Sequence, residues 1–180
     1  MSPAPGRRAR AAASVLSLMA ALVGCSPALD WREVRPAGSG VSALFPCRPE
    51  KHERTVRIAG GDRRMQLHSC DAAGATFSLA VVDGAEPAAV ESLLAEMKAS
   101  VAANLGGQAS AAQPFTPPGA TPNPASSLLR LTGRLPDGRS VAGGAAFFVH
   151  GVRVYQATAI GEALPEDSVT TFFAAIKLTP

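Results

Sequence analysis

Long apolar runs are missing from this sequence. The longest, Ala11 to Val23, is interrupted by Ser14 and Ser17, and it falls short of the about 20 apolar residues that a membrane-spanning helix requires. Aromatic residues make up only 5% of the chain, with one tryptophan and one tyrosine. A core built from these residues must therefore rest mainly on Val, Leu, Ala and Phe. Catalytic signatures are absent as well. There is no G-x-S-x-G elbow, no phosphate loop and no H-E-x-x-H, so the motif-bearing hydrolases, nucleotide enzymes and zinc proteases are excluded.

What is present begins at the N-terminus. Arg7, Arg8 and Arg10 precede the short apolar run, which ends in Leu22-Val23-Gly24-Cys25. A basic segment, a short apolar segment and small residues before a cut are the marks of an export signal. The last four residues resemble the lipobox of bacterial lipoprotein signal peptides. That resemblance implies cleavage before Cys25, with a diacylglycerol on its sulfur and acylation of the new amino group. Residues 1–24 are then the signal, and 25–30 form a short tether that holds the domain close to the bilayer. Each buried methylene contributes about 0.8 kcal/mol, so two or three acyl chains anchor a protein almost permanently. Ser26 stands where inner-membrane retention usually shows aspartate, which favours the outer membrane, periplasmic face. Arg7-Arg8 hints at a twin-arginine signal, but Ala9 and Ala11 lack the large residues of that motif. The plain alternative is an ordinary secreted protein with a chance cysteine.

Removing the signal takes three of the 17 basic residues and none of the 14 acidic ones, leaving 14 against 14. The high isoelectric point thus belongs to the precursor, and no nucleic-acid partner is expected. Of the three cysteines, Cys47 and Cys70 remain after lipidation of Cys25. An even pair in an oxidising compartment reads first as a disulfide. Two alternatives stay open: free thiols, or a zinc site in which Cys47, His52, His68 and Cys70 supply the tetrahedron.

Period-two alternation predicts strands over Trp31–Arg35, Val41–Phe45, Glu53–Ala59, Arg64–Asp71 and Thr76–Val82, the last nearly all apolar and so central. The period then changes to 3.6. Val90, Leu93, Leu94, Met97, Val101 and Leu105 form one stripe, which predicts a helix over Ala85–Leu105 with Pro87 in its first turn. Gly106-Gly107 supplies the stop. Residues 108–124, rich in Pro, Gly, Ala and Thr, read as a long surface loop without period. Strands follow over Ser127–Leu135, Val141–Val149 and Val152–Ile160, with a turn at Pro136-Asp137-Gly138. A closing helix opens at Pro165 and presents Val169, Phe172, Phe173 and Ile176 to the core.

Strands, helix, strands, helix, with hairpins throughout, predict a single α+β domain over residues 31–180: an antiparallel sheet carrying a long middle helix and a C-terminal helix. Trp31-x-x-Val34, Val41 to Phe45-Pro46, the middle helix, Val154-Tyr155-Gln156-Ala157 and Thr171-Phe172-Phe173 resemble the PsbP/Mog1-like sandwich of small bacterial lipoproteins. The resemblance implies an accessory or assembly role and supplies no catalytic residues. The cysteine pair is not part of its general pattern.

Few other residues invite chemistry. Asp62 and Asp71 are turn or strand-end carboxylates, and His150 reads as a solvated turn residue. Arg48, Lys51, Arg54, Arg57, Arg63 and Arg64 gather in one hairpin with Glu50, Glu53 and Asp62. They read as a solvated protective edge or as a patch for anionic lipid or glycan. No cofactor is expected. The expected function is a lipid-anchored envelope module without catalytic activity that binds an envelope protein. The alternative is an enzyme or small-ligand binder using a cleft near loop 108–124.

Overall fold

The computed structural model describes residues 29–84, 86–106, 108–109 and 112–179. The signal segment 1–24, the lipid site Cys25 and tether residues 25–28 lie outside the described residues, as do Ala85 and Gly107.

The chain opens with β1 (Arg32–Val34) and β2 (Val41–Phe45). A meander of β3 (Glu50–Ile58), β4 (Gly61–Ala72) and β5 (Ala75–Asp83) leads to helix α1 (Val90–Asn104). Two short strands follow, β6 (Gln108–Ala109) and β7 (Gln113–Pro114). A second meander, β8 (Ser127–Arg134), β9 (Ser140–His150) and β10 (Arg153–Gly161), leads to α2 (Glu166–Ala174) and the two-residue β11 (Lys177–Leu178). Two antiparallel sheets and two helices make the class α+β, dominated by strand.

The second meander returns so that β10 pairs with β5. This gives a main sheet in the order β3-β4-β5-β10-β9-β8, and β6 and β7 both lie along the outer edge of β8. The small sheet has the order β1-β2-β11. As the run of apolar residues predicted, β5 is interior. Both faces of the main sheet are covered, which explains why β9 and β10 read as nearly continuous apolar segments. On one face α1 buries Leu93, Leu94, Met97 and Val101 against Leu129, Leu131, Phe147 and Val154. On the other, α2 and the small sheet bury Phe45, Phe172 and Ile176 against Phe77, Tyr155 and Ala157. Fully burying one Leu or Phe contributes about 1.5–3 kcal/mol, so each helix stripe is a major source of stability.

Local chemistry sets the boundaries. The helix predicted from Ala85 begins later. Glu86 is extended (φ −152°), and Pro87–Ala89 form a 3₁₀ turn before α1. Proline supplies the φ of a first turn and has no N–H to leave unpaired, which fits that position. Gly106 ends the helix at φ +52°, a value that costs glycine little. The turn of the β3–β4 hairpin is Ala59-Gly60, with Gly61 already paired to Ile58. The Ala59 N–H donates to Glu96 Oε2 at 2.6 Å, pinning the hairpin tip to α1.

The loop predicted over 108–124 is instead a fastened strap. Gln108 and Ala109 pair with Thr132 and Leu131, and Gln113 and Pro114 pair with Leu128 and Ser127. Beyond them, Thr121 N–H donates to Val149 O at 2.8 Å and Leu178 N–H to Pro118 O at 2.8 Å. Proline and glycine hide these bonds from a periodicity reading, because the strap pairs in pieces of two residues.

Candidate functional site

Cys47 and Cys70 are bonded, with their Cα atoms 6.0 Å apart. The bridge joins the segment leaving β2 to the buried face of β4. It consumes both sulfurs that the zinc alternative needed. The histidines do not converge either. His68 pairs across the hairpin with Lys51, whereas His52 pairs with Leu67, so the two imidazoles project from opposite faces. The four residues therefore do not form a metal site. His52 is exposed, with Nε2 3.6 Å from the Glu50 carboxylate.

His68 is only 7% exposed and Gln66, two residues before it, 8%. Both look into the face that carries the aromatic core. His68 Nε2 and Gln66 Oε1 have no hydrogen-bond partner among the described residues. Burial, helped by the nearby Lys51 ammonium, pushes the His68 imidazole below its ordinary range. Asp62 and Asp71 sit at opposite ends of β4, too far apart for a dyad. Asp71 accepts from the Thr76 hydroxyl at 2.5 Å. His150 is not a free turn residue: its Nδ1 lies 2.9 Å from Gly119 O and helps hold the strap.

The strap and α2 border a groove of about 360 Å³ that opens over the β8–β9 end of the sheet. Its walls are Phe115, Val169 and Phe173, and its floor is Leu128 and Gly144. Phe115 turns inward against Phe148 and Phe173, with centroids 5.9 and 6.3 Å away. Gly144 matters because a Cβ there would lie 3.0 Å from the Phe173 ring. A larger residue would fill the floor of the groove and press on the Phe173 ring. A shelf of about 350 Å³, lined by Thr132, Ala142 and Leu164, continues from it. The shared rim carries Arg130 from β8 and Glu166 from the first turn of α2. Arg130 makes no ion pair among the described residues.

A larger hollow of about 590 Å³ lies at the β4–β5 turn. Its charged lining is already satisfied, since Arg139 binds Glu162 at 2.5 Å. The apolar groove with an unengaged guanidinium is the better candidate. The sequence reading pointed to the neighbourhood of residues 108–124 but missed Arg130, Phe115 and the glycines. Gly143-Gly144 inside a strand was the available signal, because glycine there marks a close approach. A Cβ on Gly143 would lie 2.0 Å from Ala159 O.

In comparisons with known proteins, the chain matches no family model and no curated protein.

Proposed function

We propose that this protein is a lipid-anchored lipoprotein of the cell envelope, held by acyl chains on Cys25, that binds an envelope protein and has no catalytic activity of its own. The observation that carries this reading is the Cys47–Cys70 bond in a chain whose N-terminal apolar run closes on Leu22-Val23-Gly24-Cys25. A disulfide is the mark of an oxidising compartment, and the third cysteine stands where a lipobox has it. Ser26 favours the outer membrane, periplasmic face. The fold reading extends to a PsbP/Mog1-like sandwich, supported by helix cover on both faces of an antiparallel sheet.

Partner binding is assigned to the groove between the strap and α2. Its apolar walls receive apolar side chains of the partner, and Arg130 receives a carboxylate or carbonyl at the rim. A second reading is favoured by the size and lining of the same groove: a small ligand with an apolar body and an acceptor head. Sites of a few hundred Å³, mostly apolar with few polar groups, suit such molecules.

Mass spectrometry of the mature N-terminus tests the anchor, with Cys25 expected first and diacylated. A photo-crosslinking residue at Thr170, on the groove wall, tests the partner in intact envelopes. One reproducible protein adduct that is lost on Val169→Arg supports the reading. A co-purifying small molecule without a protein adduct replaces it with the second.

A further inference from the structure

Neutrality of the mature chain conceals a separation of charge. Residues 48–64 carry Arg48, Lys51, Arg54, Arg57, Arg63 and Arg64 against Glu50, Glu53 and Asp62, an excess of three positive charges. The remainder of the chain after Cys25 carries eight basic and 11 acidic residues, the equal and opposite excess. The positive share is confined to the β3–β4 hairpin and its base, where β3 forms the open edge of the main sheet among the described residues. From Glu50 to Thr55 every residue of β3 is exposed.

The two faces of this hairpin differ. On one, Glu53 binds Lys51 at 2.7 Å and Arg64 at 2.9 Å, and Asp62 faces Arg57. On the other, Arg54 pairs across from Met65 and Val56 from Arg63, with the acid of that face, Glu50, beside His52. Arg54 and Arg63 make no ion pair among the described residues, and neither does Arg48 at the hairpin base.

The tether ends at this base. Asp30 N–H donates to Pro46 O at 2.8 Å, and the next residue, Cys47, is bonded to Cys70 of β4. Cys25 to Asp30 is five residue steps, which span at most about 17 Å when fully extended. The lipid on Cys25 can therefore lie no farther than that from Asp30. The hairpin, about 30 Å long at the rise of a strand, starts beside the same point.

We infer that the open edge of the β3–β4 hairpin lies against anionic phospholipid headgroups of the membrane that holds Cys25, with the exposed Arg48 and Arg54 supplying the attraction. This inference rests on the anchor proposed above. Basic residues within a Debye length of an anionic bilayer are drawn to it, and a lipid chain plus a basic patch is a familiar two-part anchor. The open edge is then masked at the membrane, where a bare strand would otherwise be a site for strand addition.

Hydrogen exchange of the mature lipidated protein on vesicles decides the matter. The comparison is phosphatidylcholine alone against a three-to-one mixture with phosphatidylglycerol. Amides of β3 should exchange about tenfold more slowly on the anionic vesicles, and 0.5 M salt should remove the difference, since the screening length there is only a few ångströms, about 4 Å. The double variant Arg48→Gln, Arg54→Glu should lose the protection while staying vesicle-bound with an unchanged thermal transition. Charge loss at Arg48 alone, by Arg48→Gln, should give a partial effect, which guards against a folding defect. Equal exchange on both vesicles, with the protein still bound, overturns the hairpin assignment and leaves the anchor standing. Protection produced by an anionic glycan but not by the anionic vesicles overturns it too. Release of the protein from both vesicle types overturns the anchor and this inference with it.

Discussion

The hydroxyl of Tyr155 donates to the backbone carbonyl of Ser39 across 2.6 Å, in a fully buried contact between residues 116 positions apart. Tyr155 stands on β10 of the main sheet, stacked on Phe148 with centroids 5.0 Å apart. Ser39 belongs to the turn between β1 and β2, so this bond fastens the small sheet to the large one. Removing only the hydroxyl, by Tyr155→Phe, keeps the ring and orphans a buried carbonyl. Such a loss costs about 1–3 kcal/mol. Chemical denaturation should report it as a lower midpoint with the same slope, while Tyr155→Ala should cost more through the added cavity.

Cys47–Cys70 closes a loop with a sequence separation of 23. On the chain-entropy estimate this contributes roughly 3 kcal/mol, mainly by restricting the unfolded chain. Thiol titration of unfolded, non-reduced protein should find neither sulfur free. Reduction, or the paired replacement Cys47→Ala and Cys70→Ala, should lower the thermal transition without changing the far-ultraviolet spectrum of the folded chain. Two reactive thiols in the unreduced protein would contradict the bridge.

His68 makes stability depend on pH. Burial disfavours its charged form, so its value in the folded chain lies below the ordinary one. The unfolded chain therefore binds the proton more readily. Stability should be complete above about 6.5, the ordinary histidine value, and fall as pH drops toward the lowered folded value, levelling off below it. His68→Leu should flatten this part of the profile. A denaturation midpoint measured from pH 7.5 to 5 checks it; an unchanged slope in the variant would assign the loss to the carboxylates instead.

Gly119 holds the strap against β11. Its φ is +81°, and a Cβ there would lie 2.2 Å from Leu178 O. Gly119→Ala should thus displace the strap, break the Leu178 N–H to Pro118 O bond and cost more than about 1 kcal/mol, from strain and overpacking together. Hydrogen exchange should quicken at Thr121 and Leu178, whose amides donate at this seam. Gly38→Ala serves as the control: it is also at positive φ but meets nothing within 4 Å, so it should affect stability only through its own backbone.

Much of the local structure was legible in the sequence, because it depends on neighbours along the chain. The Val90–Leu105 stripe, Pro87 at the helix entry and Gly106 at its exit identify α1 by rotation per residue and by backbone sterics. Glycine-marked turns give the hairpins in the same way, and the cysteine count foreshadows the disulfide. The tertiary structure decided whatever depends on distant partners. Alternation along β4 separates Gln66, His68 and Cys70 from Met65, Leu67 and Ser69, but it cannot say that the more polar set is the more deeply buried. That follows from β2 and the disulfide being packed on that side. The strap was invisible because pairing in two-residue pieces has no period, and β11 is too short to show one. The groove depends on Gly144 leaving room for Phe173 and on Phe115 turning inward, contacts made across sequence separations of about 30 residues or more. Steric preference acts between neighbours and can be read from a string; packing complementarity acts between surfaces and exists only once the chain has folded.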